Sequence, residues 1–262
     1  MPKFFTREIC GDTIKICGPD AKHLIKVLRK RPGDGIMVCD GDGFDYHAVI
    51  ESADGETVIT RITGREENRC EPAVRVTVYQ AVPKGSKMET VVQKCTELGA
   101  FAFVPFTSEY SVVRDDARGY AKKRERWQKT ADEAVKQCMR GRIPQVASVL
   151  DFQKMLKTAA AHQLCLMAYE LCEERTLKAA LTDAAEGAFV QNGETGPSAA
   201  DGPDGLFDIG LIIGSEGGFS TAEADAAEAE GILTVSLGRR ILRTETAGAA
   251  ALACIMYHLD QM

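Results

Sequence analysis

Apolar and polar positions alternate in short runs over the first seventy residues. Lys3–Phe5, Thr13–Ile16, Ile36–Cys39, Tyr46–Ser52 and Thr57–Ile62 each read as a brief strand, separated by Gly-Asp, Asp-Gly-Asp-Gly and Asp-Gly turns. One helical pattern interrupts them, Pro19–Leu28, with Leu24, Ile25, Val27 and Leu28 apolar and basic residues between. The pattern predicts a small β-barrel with one helix. Glu66–Pro72 is polar and ends in proline, which marks a boundary.

Beyond Pro72 the pattern changes. Buried-type strands are predicted at Val74–Val82, Phe101–Phe106, Gln145–Val149, Leu164–Tyr169, Ile209–Gly214 and Ile232–Leu237. Helices alternate with them: Met88–Leu98, closed by Gly99, a basic helix at about Arg118–Arg140, then Asp151–His162, Glu174–Glu186, Thr221–Glu230 and Glu245–Leu259. Such alternation predicts an α/β unit with a mostly parallel sheet covered on both faces. Gly187–Gly205 is rich in Gly, Pro, Ser and Asp and reads as a long mobile surface loop.

Composition narrows the class. With 262 residues, 45% of them hydrophobic, 27% charged and a mean hydropathy of −0.15, the chain has the make-up of a water-soluble globular protein. The longest apolar stretch, Gly248–Leu259, falls short of a membrane span, and the first ten residues lack a signal-peptide pattern. A cytoplasmic protein with no membrane contact is expected. The nine cysteines form no C-x-x-C pair and read as small buried hydrophobes. The four histidines are unpaired in sequence, so no metal site is expected.

The net charge of −6 conceals an asymmetry. Lys22, Lys26, Arg29, Lys30 and Arg31 form a basic run without an acid. Arg114–Arg142 holds ten basic and five acidic residues, whereas Glu170–Glu230 holds fourteen acids and two bases. Two basic segments in an acidic chain suit a polyanion bound at confined places; each alone also reads as a solvated face.

Two turns carry the sharpest signals. In LIIGSEGGFS, Leu211–Ile213 run into Gly214, Ser215, Glu216, Gly217 and Gly218 before a helix capped by Ser220. Ligands of parallel sheets sit at the carboxyl ends of strands, and three glycines let backbone approach one closely. Neither G-x-G-x-x-G nor a P-loop is present, which disfavours nicotinamide and ATP chemistry. The next unit repeats the layout: SLGRRILRTETA ends a strand at Leu237 and Gly238, and Arg239–Thr246 lead into an apolar helix. Thr244 reads as its N-cap, with Glu245 and Thr246 in the first turn.

These residues resemble the RsmE family of small-subunit rRNA uridine-N3 methyltransferases, within the SPOUT superfamily. GSEGG followed by LGRRILRTETAGAAAL carries the likeness, and HLIKVLR with Gly33-Asp34, KCTELG after Met88-Glu89, and Gln137 with Arg140 and Pro144 agree in order. The resemblance implies a PUA-like β-barrel over 1–71 that binds RNA, and a SPOUT domain over 72–262 with a trefoil knot. It also implies a homodimer, and S-adenosyl-L-methionine (SAM) bound in the knot. On that basis Tyr169, Glu170, Gly214, Ser215, Glu216, Gly217, Gly218, Leu237, Gly238, Ile241, Leu242, Arg243, Thr244, Thr246 and Ala247 are the candidate cofactor residues. The sequence departs from the family in two places: Ser215 stands where proline is usual, and Cys138-Met139 where Ser-Gly is usual.

Methyl transfer to uracil N3 needs two reactants in line and help with the N3 proton. Arg140 and Arg243 are candidates for favouring the N3 anion or holding phosphate. Glu216 is read either as a base or as an anchor for its own loop. Lys22, Lys26, Arg29, Lys30, Arg31, Arg140 and Arg142 are candidate RNA contacts, the substrate being small-subunit rRNA or the assembled subunit. The readings left open are ribose 2′-O-methylation of tRNA or rRNA, favoured by Ser215 and disfavoured by RILRTETA, and a non-catalytic RNA-binding module.

Overall fold

The computed structural model describes residues 3–112, 115–185, 190–191, 194–195 and 207–262. Internal contacts divide the chain into two units, Met1–Glu71 with Val135–Ile143, and Pro72–Ala134 with Pro144–Met262.

The first unit holds β1 (Lys3–Phe5), β2 (Ile9–Cys10), β3 (Thr13–Cys17), helix α1 (Gly18–Lys22), β4 (Gly35–Cys39), β5 (Phe44–Ala53) and β6 (Thr57–Glu67). They form one sheet in the order β1-β4-β5-β6-β3-β2, parallel only between β1 and β4. The register shifts twice between β5 and β6, at His47/Ala48 and Ile50/Ser52, and such bulges bend and twist a sheet. Alternate strand residues turn inward, so Ile14, Ile16, Ile36, Val38, Ile50 and Val58 bury together with Leu24. The predicted helix Pro19–Leu28 is helical throughout most of its length but changes type. His23–Val27 forms a π-helical turn, Leu28 N–H reaching His23 O at 3.0 Å. The wider turn buries Leu24 and leaves Val27 exposed.

In the second unit, β7 (Val74–Ala81), α2 (Lys87–Glu97) and β8 (Ala102–Thr107) are followed by α3 (Ala117–Cys138), whose last residues belong to the first unit. Next come β9 (Gln145–Val146), β10 (Leu150–Asp151), α4 (Phe152–Ala159), β11 (Leu164–Ala168) and α5 (Leu177–Ala185). Of the Gly187–Gly205 stretch only β12 (Val190–Gln191) and β13 (Glu194–Thr195), an antiparallel pair, are described; the rest of that expected loop lies outside the described residues. The chain ends with β14 (Phe207–Ile213), α6 (Thr221–Ala229), β15 (Leu233–Val235) and α7 (Thr244–His258).

Seven strands make one parallel sheet, β10-β8-β7-β14-β11-β15, with β9 beside β8. Period-2 alternation fills both faces. Val76, Val78, Leu164, Leu166, Ile209 and Leu211 pack on one side with α2, α5 and α7. Tyr79, Phe106, Cys165, Met167 and Ile212 pack on the other with α4 and α6. Each such aliphatic side chain contributes roughly 1.5–3 kcal/mol by leaving water, and this burial makes the strand ends a rigid platform.

Three expectations change. The strand predicted over Gln145–Val149 shortens to β9 (Gln145–Val146), and a second short strand, β10, follows it at Leu150–Asp151. The basic helix stops at Cys138 because Met139 turns left-handed (φ 64°), which leaves Arg140 outside it. The cysteines are not uniformly buried: Cys39, Cys95 and Cys165 are, while Cys10, Cys17, Cys70 and Cys254 are exposed. Burial pushes the Cys39 and Cys95 thiols up to about 12, so neither ionises near neutrality. Among the described residues no helix is long and apolar enough to cross a membrane, and no cluster of His, Cys, Asp and Glu is placed to hold a metal.

Candidate cofactor cavity

Three neighbouring strands of the second unit, β14, β11 and β15, end on the same side of the sheet, and their following turns form a cavity. After β14, Gly218 N–H donates to Ser215 O at 3.1 Å and closes a tight turn. Gly218 adopts φ +66°, and a Cβ there would collide with the Glu170 carboxylate. A Cβ on Gly214 would come within 3.1 Å of the Phe219 ring. The turn feeds α6 through a capping box. Glu223 N–H donates to Ser220 Oγ at 3.3 Å, and Ser220 N–H donates to Glu223 Oε2 at 3.1 Å. Glu223 also accepts from Glu109 N–H at 2.8 Å.

After β15 the chain turns at Leu237-Gly238 and runs through Arg239, Arg240, Ile241, Leu242 and Arg243 into α7. Ile241 is 90% exposed. Arg243, not Thr244, occupies the N-cap position, and it makes no side-chain cap bond. Thr244 is the first helical residue and spends its hydroxyl elsewhere, donating to Gly214 O at 2.6 Å and accepting from Gln80 Nε2 at 2.9 Å. Gln80 Nε2 also lies 3.2 Å from Gly214 O. A fully buried glutamine on β7 thus ties both turns to the sheet.

The cavity measures about 990 Å³. Of the residues the sequence put forward for a cofactor, Tyr169, Glu170, Gly214, Ser215, Glu216, Gly218, Leu237, Gly238, Ile241, Leu242, Arg243, Thr244 and Ala247 line it. Two do not. Gly217 faces Tyr110, whose Cβ is 2.7 Å from where a Cβ on Gly217 would stand. Thr246 is solvent-exposed on α7. Sequence reasoning missed Lys87, Glu173, Thr176 and Ser236 in the wall, and Gln80 beneath it. Gln80 did leave a signal, as the single amide in the apolar run of β7.

The lining suits a cofactor with a flat ring and charged groups of both signs, since the wall holds Lys87, Arg239, Arg240 and Arg243 as well as acidic residues. Leu237, Leu242, Ile213 and Ala247 offer apolar surface to a purine, and the side-chain-free Gly214 and Gly218 let backbone come close. Glu170 and Glu173 place negative charge in the wall. The buried Ser215 Oγ has no partner among the described residues. These residues fit SAM.

Glu216 is placed as an anchor. Its carboxylate accepts from Lys87 Nζ at 2.7 Å and from Lys84 N–H at 3.1 Å. Partial burial pushes its carboxyl upward, but the Lys87 hydrogen bond, two backbone N–H groups and the Lys87 charge together hold it below the usual carboxylate value. A carboxylate so held is a weak base, so the structure favours the anchoring alternative for Glu216.

Arg140 belongs to the first unit and does not line the cavity. It is 3% exposed, and its guanidinium grips Glu71 through Nε at 3.2 Å and Nη2 at 2.9 Å. Glu71 Oε1 also accepts from Gly141 N–H at 2.8 Å and Arg142 N–H at 2.9 Å. Lys3 Nζ and Asn68 Nδ2 both donate to Met139 O at 3.1 Å. In this arrangement the Arg140 charge is paired with Glu71, so any role at the base or on phosphate requires that pair to open. Lys22, Lys26, Arg29 and Arg31 are exposed, while Lys30 and Arg142 are half-buried.

The mixed β unit and the parallel α/β unit with its cavity between glycine turns correspond to two known RNA methyltransferase domains. A family model described as "RNA methyltransferase domain" matches residues 70–256, and one described as "RNA methyltransferase PUA domain" matches residues 16–63. The chain is 34% identical over 248 residues to the ribosomal RNA small subunit methyltransferase E of Bacillus subtilis, covering 95% of this chain and 91% of that one. Two solved structures align over 98% of this chain and 97% of theirs. One, a methyltransferase of Legionella pneumophila in complex with SAM, is 28% identical with a TM-score of 0.78. The other, ribosomal RNA small subunit methyltransferase E of Neisseria gonorrhoeae bound to SAM, is 27% identical with a TM-score of 0.75. The chain belongs to the ribosomal RNA small subunit methyltransferase E family.

Proposed function

We propose that this protein transfers a methyl group from SAM to N3 of a specific uridine in small-subunit rRNA. The observation that carries the reading is the cavity at the ends of β11, β14 and β15, walled by the two turns that also carry the family likeness. The bound cofactor supplies an electrophilic methyl group. The chain's own residues hold and orient it: Gly214 and Gly218 by close backbone approach, Leu237 and Leu242 by apolar contact, Gln80 and Thr244 by fixing both turns. Arg243, exposed in the wall and without an ion pair among the described residues, favours the deprotonated uracil by its charge. Lys87 keeps Glu216 ionised and the 214–218 turn in place.

Residues 1–71 serve as the PUA-like RNA-binding domain and 72–262 as the catalytic domain. Exposed Lys22, Lys26, Arg29 and Arg31 supply phosphate contacts in the first. A groove of about 450 Å³ lined by Leu177, Leu181, Ala250, Cys254 and Tyr257 supports a homodimer through α7. The entry of β14 between the earlier strands β7 and β11 supports the trefoil knot. The reaction takes place in the cytoplasm.

Labelled SAM, purified small subunits and naked rRNA, followed by nucleoside mass spectrometry, test the reading. Label in N3-methyluridine is expected, and more from subunits than from naked RNA, because an acidic protein with confined basic patches needs shape to find its site. Label on a ribose would replace this reading with 2′-O-methylation, and equal activity on both substrates would remove the preference for the subunit.

A further inference from the structure

Tyr110 is an exposed aromatic at the tip of a tightly closed turn. Strands β8, β7 and β14 are parallel neighbours, so the turn after β8 leaves the sheet at the same edge as the 214–218 turn. Ser108 and Ser111 close it. Ser108 N–H donates to Ser111 Oγ at 2.9 Å, the two hydroxyls lie 3.0 Å apart, and Ser111 N–H donates to Ser108 O at 3.1 Å. Both serines are buried. Glu109 N–H donates to Glu223 Oε1, which ties the turn to the capping box of α6. Tyr110 itself is 46% exposed. The root of its ring lies on Gly217: a Cβ there would meet Tyr110 Cβ at 2.7 Å and ring atoms Cγ and Cδ2 at 3.4 and 3.6 Å. Gly214, Ser215, Glu216 and Gly218 of the same turn line the cavity, and Gly217 does not. The ring therefore sits on the outer side of the turn whose inner side walls the cofactor site.

Resting on the reading of the protein as an rRNA uridine-N3 methyltransferase, we propose that Tyr110 stacks on an unpaired nucleobase of the substrate RNA beside the cavity. N3 lies on the pairing edge of uracil, so the reacting strand must leave any helix and lose its stacking there. An aromatic face replaces that stacking whatever the base. Charges around the ring are mixed. Glu109 is exposed next to it, Glu216 is paired with Lys87, and Lys84 is exposed on the loop that donates to Glu216. The cavity wall beyond carries Glu170 and Glu173 with Arg239, Arg240 and Arg243. With acid and base both present, the ring suits an uncharged base face better than a phosphate, which cations hold.

The test is steady-state methylation of unmodified small subunits by wild type, Tyr110→Phe, Tyr110→Leu and Tyr110→Ala, alongside SAM titration, thermal melting and sedimentation. Alanine keeps the Cβ that rests on Gly217, so Tm and SAM affinity should match wild type. KM for subunits should rise roughly 5- to 100-fold in Tyr110→Ala and stay raised in Tyr110→Leu, which has no π face. In both, kcat should hold within about two-fold, and Tyr110→Phe should behave as wild type. Leucine that restores KM as fully as phenylalanine makes the contact plain apolar packing and overturns the proposal. A variant that falls to monomers, or that loses SAM affinity, assigns the ring to a partner copy or to the cavity turn and also overturns it. Wild type that binds SAM but leaves uridine N3 unmethylated overturns the proposed function, whereas wild-type methylation with an unaltered Tyr110→Ala removes only the stacking role.

Discussion

Arg140 and Arg243 stood equal in the sequence as candidate cations for the reaction, and the structure separates them. Arg140 sits in the first unit, 3% exposed, with its guanidinium on Glu71. The same carboxylate holds the backbone N–H groups of Gly141 and Arg142, so the 139–142 turn is saturated from within. Arg243 sits in the second unit at the head of α7, exposed in the wall of the cavity and with no ion pair to Glu245 among the described residues. The same contrast holds for their surroundings. Around Arg140 the polar groups serve one another; around Arg243 the cavity wall carries charges of both signs, Arg239 and Arg240 with Glu170 and Glu173. A polar group satisfied inside the fold holds the fold together, and one left open on a cavity is available for chemistry.

Breaking the saturated side should cost the most stability. Glu71→Ala strands a buried guanidinium and two backbone donors, and should lower unfolding free energy by about 3–5 kcal/mol in urea titration. SAM affinity should not change. On the open side, Arg243→Ala should leave the melting temperature and SAM affinity near wild type while single-turnover methyl transfer drops by roughly 10²–10³. Equal losses of stability in Arg140→Met and Arg243→Ala would erase the distinction between the two arginines.

Thr244→Val tests what joins the two cavity turns. It removes the donor to Gly214 O and leaves Gln80 Nε2 without one partner, at a cost of about 1–2 kcal/mol in stability. A several-fold weaker SAM titration should accompany it. The smallest effect is expected at Glu216. Its carboxyl is held low in the folded protein, so its contribution is present above about 4.5, the ordinary carboxylate value, and is lost as pH falls through the folded value. Glu216→Gln should therefore differ from wild type by under about 1 kcal/mol at pH 7, the pair being partly solvated. The two proteins should converge in acid denaturation profiles.

What was legible depended on the distance over which a residue finds its partner. The cap of α6 was readable because Ser220 and Glu223 lie three residues apart and the spacing itself names the bond. The β-α alternation was readable because period-2 burial repeats along every strand. Thr244 looked like a cap because nothing local revealed Gly214, 30 residues away, or Gln80, 164 away. Arg140 looked free because Glu71 is 69 residues distant. Lys87 was invisible as a wall residue for the same reason, its partner Glu216 being 129 residues on. The exposed cysteines were misread because a thiol is small enough to be indifferent to either environment, so its type carries little information. The π-helical turn at His23–Val27 keeps a helical apolar pattern while changing only the hydrogen-bond register, which residue type does not report.

The most direct test of the account is a crystal structure of the protein with S-adenosylhomocysteine. The account predicts the nucleoside between the Gly214–Gly218 turn and the Leu237–Leu242 turn, with Arg243 at the open side and Arg140 still on Glu71. Ligand seated elsewhere, for instance in the groove beside Tyr257, or Arg140 released from Glu71 to meet it, would contradict it.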